Sequence, residues 1–137
     1  MKLNPEIKVF GDALYRGKCP AEDIEQINFF SWLKFNYPEY ASLFIHPKIE
    51  GKRTGAQITY DQKTGAMQKS MPDLMIVCDY PFCVELKRQD HTKSKWQDGQ
   101  EDKLLDLASA GCFTGVALGA ESAKEAFNLW LTKKEEK

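Results

Sequence analysis

Residues 72–87 read PDLMIVCDYPFCVELK, and this stretch decides the fold. Leu74 to Asp79 and Phe82 to Lys87 are apolar runs of strand length, and Tyr80 and Pro81 fall between them, which reads as a β-hairpin. Side chains at i and i+2 of a strand point the same way. Glu85 and Lys87 therefore share one face, while Val84 and Leu86 enter the core on the other. With Tyr80-Pro81-Phe82 as the connection, Asp79 opposes Cys83 and Val77 opposes Glu85. That register puts Asp73 on the face of Glu85 and Lys87.

Two carboxylates and an ammonium on a largely buried sheet need a reason. An E-x-K triplet alone is commonly a solvated strand pair or a salt bridge. The preceding Pro72-Asp73, twelve residues upstream of the glutamate, makes a built site the sharper reading. Magnesium is a hard cation that takes oxygen ligands, so Asp73, Glu85 and the Leu86 carbonyl form a suitable set. Such an ion activates water and stabilises charge on a phosphoryl group. Lys87 is placed to orient or help deprotonate that water, or to neutralise phosphoryl oxygens.

Outward from the hairpin the elements alternate. Residues 1–19 read as an irregular lead-in. Pro20 opens a helix with Glu22 and Asp23 in its first turn; Ile24, Ile27, Phe30 and Leu33 give its apolar face, widened by Phe29 and Trp32, and Pro38 limits it. Ala41 to His46 suits a strand, and 48–70 a long loop or a loose hairpin around Gln57 to Tyr60. After a polar loop over 89–99 comes a helix, Gln100 to Ala110, stopped by Gly111, and then a strand, Cys112 to Leu118. Ser122 and Glu125 read as the capping box of a last helix, and 133–137 as a frayed charged tail. The expected class is α/β, one domain over 1–137.

The chain has 137 residues, 42% hydrophobic and 28% charged, with a formal net charge of −1. That excludes a disordered chain, and a protein that coats nucleic acid generically would be strongly basic. The positive charge is local. Lys48, Lys52, Arg53, Lys63 and Lys69 cluster in one loop, and Lys87, Arg88, Lys93 and Lys95 near the acidic strand, a basic rim around an acidic pocket. Four scattered cysteines without a Cys-x-x-Cys pair indicate neither a zinc site nor a disulfide framework, and suit a reducing cytosol. No apolar run approaches the ~20 residues that cross a bilayer.

From about Glu22 to Trp130 the sequence resembles the VRR-NUC branch of the PD-(D/E)XK nuclease superfamily, in its stand-alone bacterial and phage type. The matching pieces run in order. A first helix carries Glu25-Gln26 before an aromatic, tryptophan-containing face. His46-Pro47 leads into a turn with Gly51, Lys52 and Arg53. Gly65 to Met71 approaches Pro72-Asp73, and Glu85-Leu86-Lys87 follows. Ser94 and Gln97 fit a serine–glutamine spacing, whereas Gln100, Leu104, Leu107 and Gly111 fit the helix spacing better, so Gln100 is preferred as the motif glutamine. Ser70 and Lys48-Ile49 depart from the usual glycine and asparagine.

The resemblance implies a restriction-endonuclease-like αβββαβ(α) core with a mixed central sheet flanked by helices. It implies a nuclease that uses Mg²⁺, with Mn²⁺ as a substitute. Asp73, Glu85, the Leu86 carbonyl and Glu25 would be the metal ligands, with Glu22 and Glu50 as alternatives for the third carboxylate. Lys87 would act on water, and Gln100 would orient water, substrate or Lys87. Lys52, Arg53, Lys69, Arg88 and His46 are the candidate DNA contacts. Branched DNA such as four-way (Holliday) junctions is the implied substrate, cut by a homodimer in a bacterial or phage-infected cytoplasm; Phe29, Trp32 and Tyr37 are candidates for a dimer surface, with core packing as an equal alternative. A flap-, nick- or end-directed nuclease and a catalytically silent DNA-binding module on the same fold are the alternatives.

Overall fold

The computed structural model describes residues 1–47, 54–65 and 70–137. A five-stranded sheet has the order β1-β5-β4-β3-β2. Its strands are β1 (Val9–Phe10), β2 (Phe44–Ile45), β3 (Leu74–Ile76), β4 (Phe82–Lys87) and β5 (Phe113–Leu118). β4 and β5 are parallel, as are β1 and β5; β3 runs antiparallel to both β4 and β2. The helices are α1 (Glu22–Asn36), α2 (Pro38–Ala41), α3 (Gly55–Thr64), α4 (Gln100–Ser109) and α5 (Ala120–Glu135). This is the mixed sheet with flanking helices expected from the sequence.

All six residues of β4 are buried, so the strand is covered on both faces. Phe82, Val84 and Leu86 join Phe29 and Leu33 of α1 and Phe127 and Trp130 of α5 in the main core. The indole of Trp130 donates to the Tyr80 carbonyl at 2.9 Å, which gives its buried N–H a partner and pins the hairpin loop. On the opposite face Leu104 of α4 packs with Ile7, Val116 and Leu118. Cys83, Glu85 and Lys87 point to that second face.

Several expectations are corrected. The hairpin pairs Leu74 with Val84, Met75 with Cys83 and Ile76 with Phe82, so residues 77–81 form the loop and the expected pairing of Val77 with Glu85 does not occur. The slip is an even number of residues and leaves every side chain on its predicted face. The lead-in contains a strand: β1 lies on β5 because Gly115 lets it approach, and a Cβ there would stand 2.6 Å from the Phe10 ring. Residues 55–64 are helical, not loop or hairpin, and Thr54 and Gln57 form the capping box that starts α3.

The run 41–46 is split between α2 and the two residues of β2. On α1 the buried residues are Glu25, Phe29 and Leu33, while Ile24 and Ile27 are exposed. The buried stripe is rotated from the predicted one because an acid, Glu25, occupies an inward position. Helix α5 starts at Ala120 with no side-chain cap of its own, so Ser122 and Glu125 are not its capping box, and it continues to Glu135 through most of the expected frayed tail. Phe29 is fully buried, which removes it as a dimer surface, while Trp32 and Tyr37 pack against the core and stay partly exposed.

Candidate active site

β3 stops covering β4 after the Leu74–Val84 pair. One step further along the same register Asp73 stands opposite Glu85. There the Leu86 amide donates not to a strand carbonyl but to Asp73 Oδ2, at 3.2 Å. The N–H and C=O of a strand residue leave by the same edge, so the Leu86 carbonyl is directed to that side too. The Asp73 carbonyl in turn meets His46 Nδ1 at 2.8 Å, which ties the end of β2 to the acid.

Glu85 is 1% exposed, and neither of its carboxyl oxygens has a hydrogen-bond partner. Burial first, then the adjacent Asp73 carboxyl, hold the Glu85 carboxyl well above its ordinary range; Lys87 pulls the other way. A buried carboxylate without donors is costly unless something positive arrives.

Lys87 is 3% exposed. Its ammonium donates to the Lys95 carbonyl at 2.8 Å and to Gln100 Oε1 at 3.0 Å. Gln100 Oε1 also accepts the Gln97 amide at 2.8 Å, so its side chain is fixed from two directions. An ammonium has three donors. Two are taken by these acceptors, and the Trp96 ring lies 5.5 Å from the same ammonium.

A groove of about 350 Å³ is lined by Glu22, Asp73, Glu85, Lys87, Lys93 and Gln100, among others. Glu22 is its third acid. Its Oε1 accepts from Ser94 Oγ at 3.0 Å, and Ser94 Oγ itself accepts the Arg88 amide at 3.0 Å. Glu25 lies elsewhere. Its Oε2 takes the first amide of α5, Ala120 N, at 3.0 Å, and Gly119 must be glycine at φ 94° because a Cβ would meet that same oxygen. The Glu25 carboxyl is raised by burial, against the lowering effect of the Ala120 amide. Its place is the cap of α5, not the groove.

The other sequence candidates divide as follows. Gln100 and Gln97 both line the groove, and Gln100 is the one that holds Lys87. Arg88 spends its guanidinium on the Cys19 and Pro20 carbonyls, at 2.8 and 3.0 Å. His46 holds the backbone of Asp73. Lys52, Arg53, Lys69 and Glu50 lie outside the described residues. Lys93 and Lys95, part of the basic rim expected from the sequence, line the groove, and Trp96, which the sequence did not single out, has its ring 5.5 Å from Lys87 Nζ. The basic character of 93–95 was the available signal for the lysines; nothing local marked Trp96.

Among the described residues no three His, Cys, Asp or Glu side chains form a metal-holding cluster. Magnesium does not require one, since it keeps several waters and is commonly held by one or two carboxylates. The two unpartnered oxygens of Glu85, with Asp73 beside them, fit such an ion. The four cysteines are free; burial, helped by Cys112 and Cys78 nearby, pushes the Cys83 thiol up to about 12.

No protein-family model matches the sequence, and no curated protein matches it. A solved structure described as a "VRR_NUC domain protein" shares the fold, with a TM-score of 0.65 and 18% identity over 86% of this chain and 92% of its own length.

Proposed function

We propose that this chain, built on the fold of a VRR-NUC domain, is a metal-dependent nuclease that hydrolyses DNA phosphodiesters at branched sites. The observation that carries the reading is the pairing of Asp73 with a donor-less Glu85 beside a tethered Lys87. A protein freed from catalysis has no reason to keep that costly group of charges.

Asp73, Glu85 and the Leu86 carbonyl would hold Mg²⁺, with Glu22 facing them across the groove. When bound, the ion supplies Lewis-acid stabilisation of phosphoryl charge and acidifies water. The protein supplies the rest. Leu86 N–H and His46 fix Asp73 from its side chain and its backbone. The Lys95 carbonyl and Gln100 hold the Lys87 ammonium so that its remaining proton faces the scissile phosphate, where it orients the attacking water or meets the developing charge. Lys93 and Lys95 at the groove offer charge to the DNA backbone.

Four-way junctions are the preferred branched substrate, because two symmetric cuts suit a two-fold dimer of single-site subunits. Exposed Ile24, Ile27 and Phe35 on α1 are apolar surface open to a second copy. Free thiols fit a reducing cytoplasm, and no helix among the described residues is long and apolar enough to cross a membrane.

The test is incubation with labelled four-way junction, flap, nicked and linear duplex DNA in Mg²⁺, Mn²⁺ or EDTA, together with the solution mass. Metal-dependent cutting that favours the junction is expected. Cutting of flaps, nicks or ends instead reassigns the substrate. Binding to DNA with no cutting in either metal leaves a silent module on the same fold.

A further inference from the structure

Beside the acidic groove lies a second cavity of about 500 Å³. The two share Pro47, Lys95, Gln97 and Gln100 in their walls, so they adjoin. A volume of this size is in the range that holds a nucleoside-sized ligand. Its walls differ from those of the acidic groove. Trp96, Met71 and Pro47 present apolar surface, and Ser70, Gln97 and Asp98 add polar groups. Among the described residues, one lysine and one acid line it, Lys95 and Asp98.

The walls are held in place. Trp96 Nε1 donates to the Lys2 carbonyl at 2.9 Å, and the ring packs against the Ile7–Leu104 cluster, so the indole is fixed along one edge. Ser70 Oγ donates to the Asp98 carbonyl, joining the segment before β3 to the segment before α4. Ser70 does this at φ 77°, a left-handed conformation that costs a non-glycine residue energy.

Resting on the nuclease reading above, we infer that this cavity takes the base of an unpaired nucleotide next to the scissile phosphate, with Trp96 as its platform. A phosphate in the acidic groove brings its own nucleoside towards the adjoining volume, whose lining includes the partly exposed Trp96 indole, with Lys87 Nζ 5.5 Å from its centroid, and neutral polar groups. A paired base has both faces covered by its neighbours in the stack and cannot use such a platform; a base at a branch, flap or bulge can. Trp96 is thereby a binding residue for the unpaired feature, and the cavity sets a preference for interrupted over continuous duplex.

The experiment uses 2-aminopurine, a fluorescent adenine analogue, at the unpaired position of a bulged duplex and at the same position of a fully paired duplex. Binding by the full chain is titrated in Ca²⁺. Stacking on the indole is expected to quench the unpaired probe. Trp96→Leu, which keeps apolar bulk, is expected to lose that quench and to weaken binding of the unpaired DNA by roughly 5- to 100-fold while leaving paired DNA unchanged. Met71→Ala, on a wall that does not touch Lys87, is expected to shift the same preference to a smaller degree. A melting curve of each variant reports its fold.

Equal behaviour of wild type and both variants on the two DNAs overturns the inference, and so does an equal loss on both. The two readings fail separately. A wild type that cuts no DNA in Mg²⁺ or Mn²⁺ yet shows Trp96-dependent quenching loses the nuclease assignment and keeps the subsite. A wild type that cuts without such quenching does the reverse.

Discussion

Lys87 Nζ and Gln100 Oε1 lie 3.0 Å apart, and the glutamine oxygen is itself fixed by the Gln97 amide. The start of α4 thus aims the ammonium at the end of β4. Lys87→Ala is expected to lower the single-turnover cleavage rate about 10²–10³-fold with DNA binding nearly intact. Gln100→Ala leaves the charge but frees its direction, and a loss of about 10- to 100-fold is expected. A Gln100→Ala protein as fast as wild type would remove the glutamine from the mechanism.

Glu85 predicts a conflict between stability and activity. Its folded-state carboxyl is raised, so the unfolded chain releases the proton first. Its favourable contribution is full below the unfolded value, near 4.5, and is lost as pH rises from there through the folded value. Glu85→Gln is expected to raise metal-free stability at neutral pH by about 1–3 kcal/mol, read as a higher melting temperature, and to abolish cutting. Added Mg²⁺ should stabilise the wild type and not this variant.

The two acids of α1 separate in the same pair of assays. Glu25→Ala removes the cap of α5 and leaves the buried Ala120 amide bare, so a loss of about 1–2 kcal/mol in denaturant unfolding is expected. Glu22→Ala should leave stability close to wild type and reduce cleavage, because Glu22 lines the groove. Reversed results would exchange their roles.

Asp90 controls acid sensitivity. Its carboxyl accepts from the Thr92 hydroxyl and from the Gly17 and Thr92 amides, and the hydroxyl first, then the Gly17 amide, lower it to about 2. The stabilisation is present above its unfolded value, 3.8, and is lost as pH falls towards 2. Asp90→Asn is expected to be less stable than wild type at pH 6, with the gap closing over that acid window. Melting temperatures from pH 6 to pH 2 check this.

The hairpin was legible because two-residue periodicity fixes faces even when the register is misplaced. Val77 does not oppose Glu85, yet Asp73, Glu85 and Lys87 still share a side. Gln100 was legible from helix spacing. Glu25 was not, because a first-turn acid looks the same in sequence whether it faces a groove or caps another helix; only the approach of Gly119 decides. Thr54 and Gln57 did carry a capping signature, hidden among glycines and lysines that suggested loop. β1 is two residues long and depends on Gly115, which is far along the chain from it and out of reach of any local pattern read by periodicity.

The lead-in before α1 contributes no acid to the groove, yet it is hydrogen-bonded to the loop that follows β4. His91 contacts the Met1 and Ala13 carbonyls, both at 3.0 Å, and Lys93 reaches the Gly17 carbonyl at 2.7 Å. Trp96 and Arg88 are moored to Lys2, Cys19 and Pro20. The perch of the Lys87 ammonium, the Lys95 carbonyl, sits between those moorings. Pulling on the first few residues with a fused tag would slacken a guy-rope anchored beside the reacting centre, and would read in an assay as a catalytic defect without altering one catalytic side chain, whereas trimming all nineteen would also remove β1 and the buried Ile7 and Phe10.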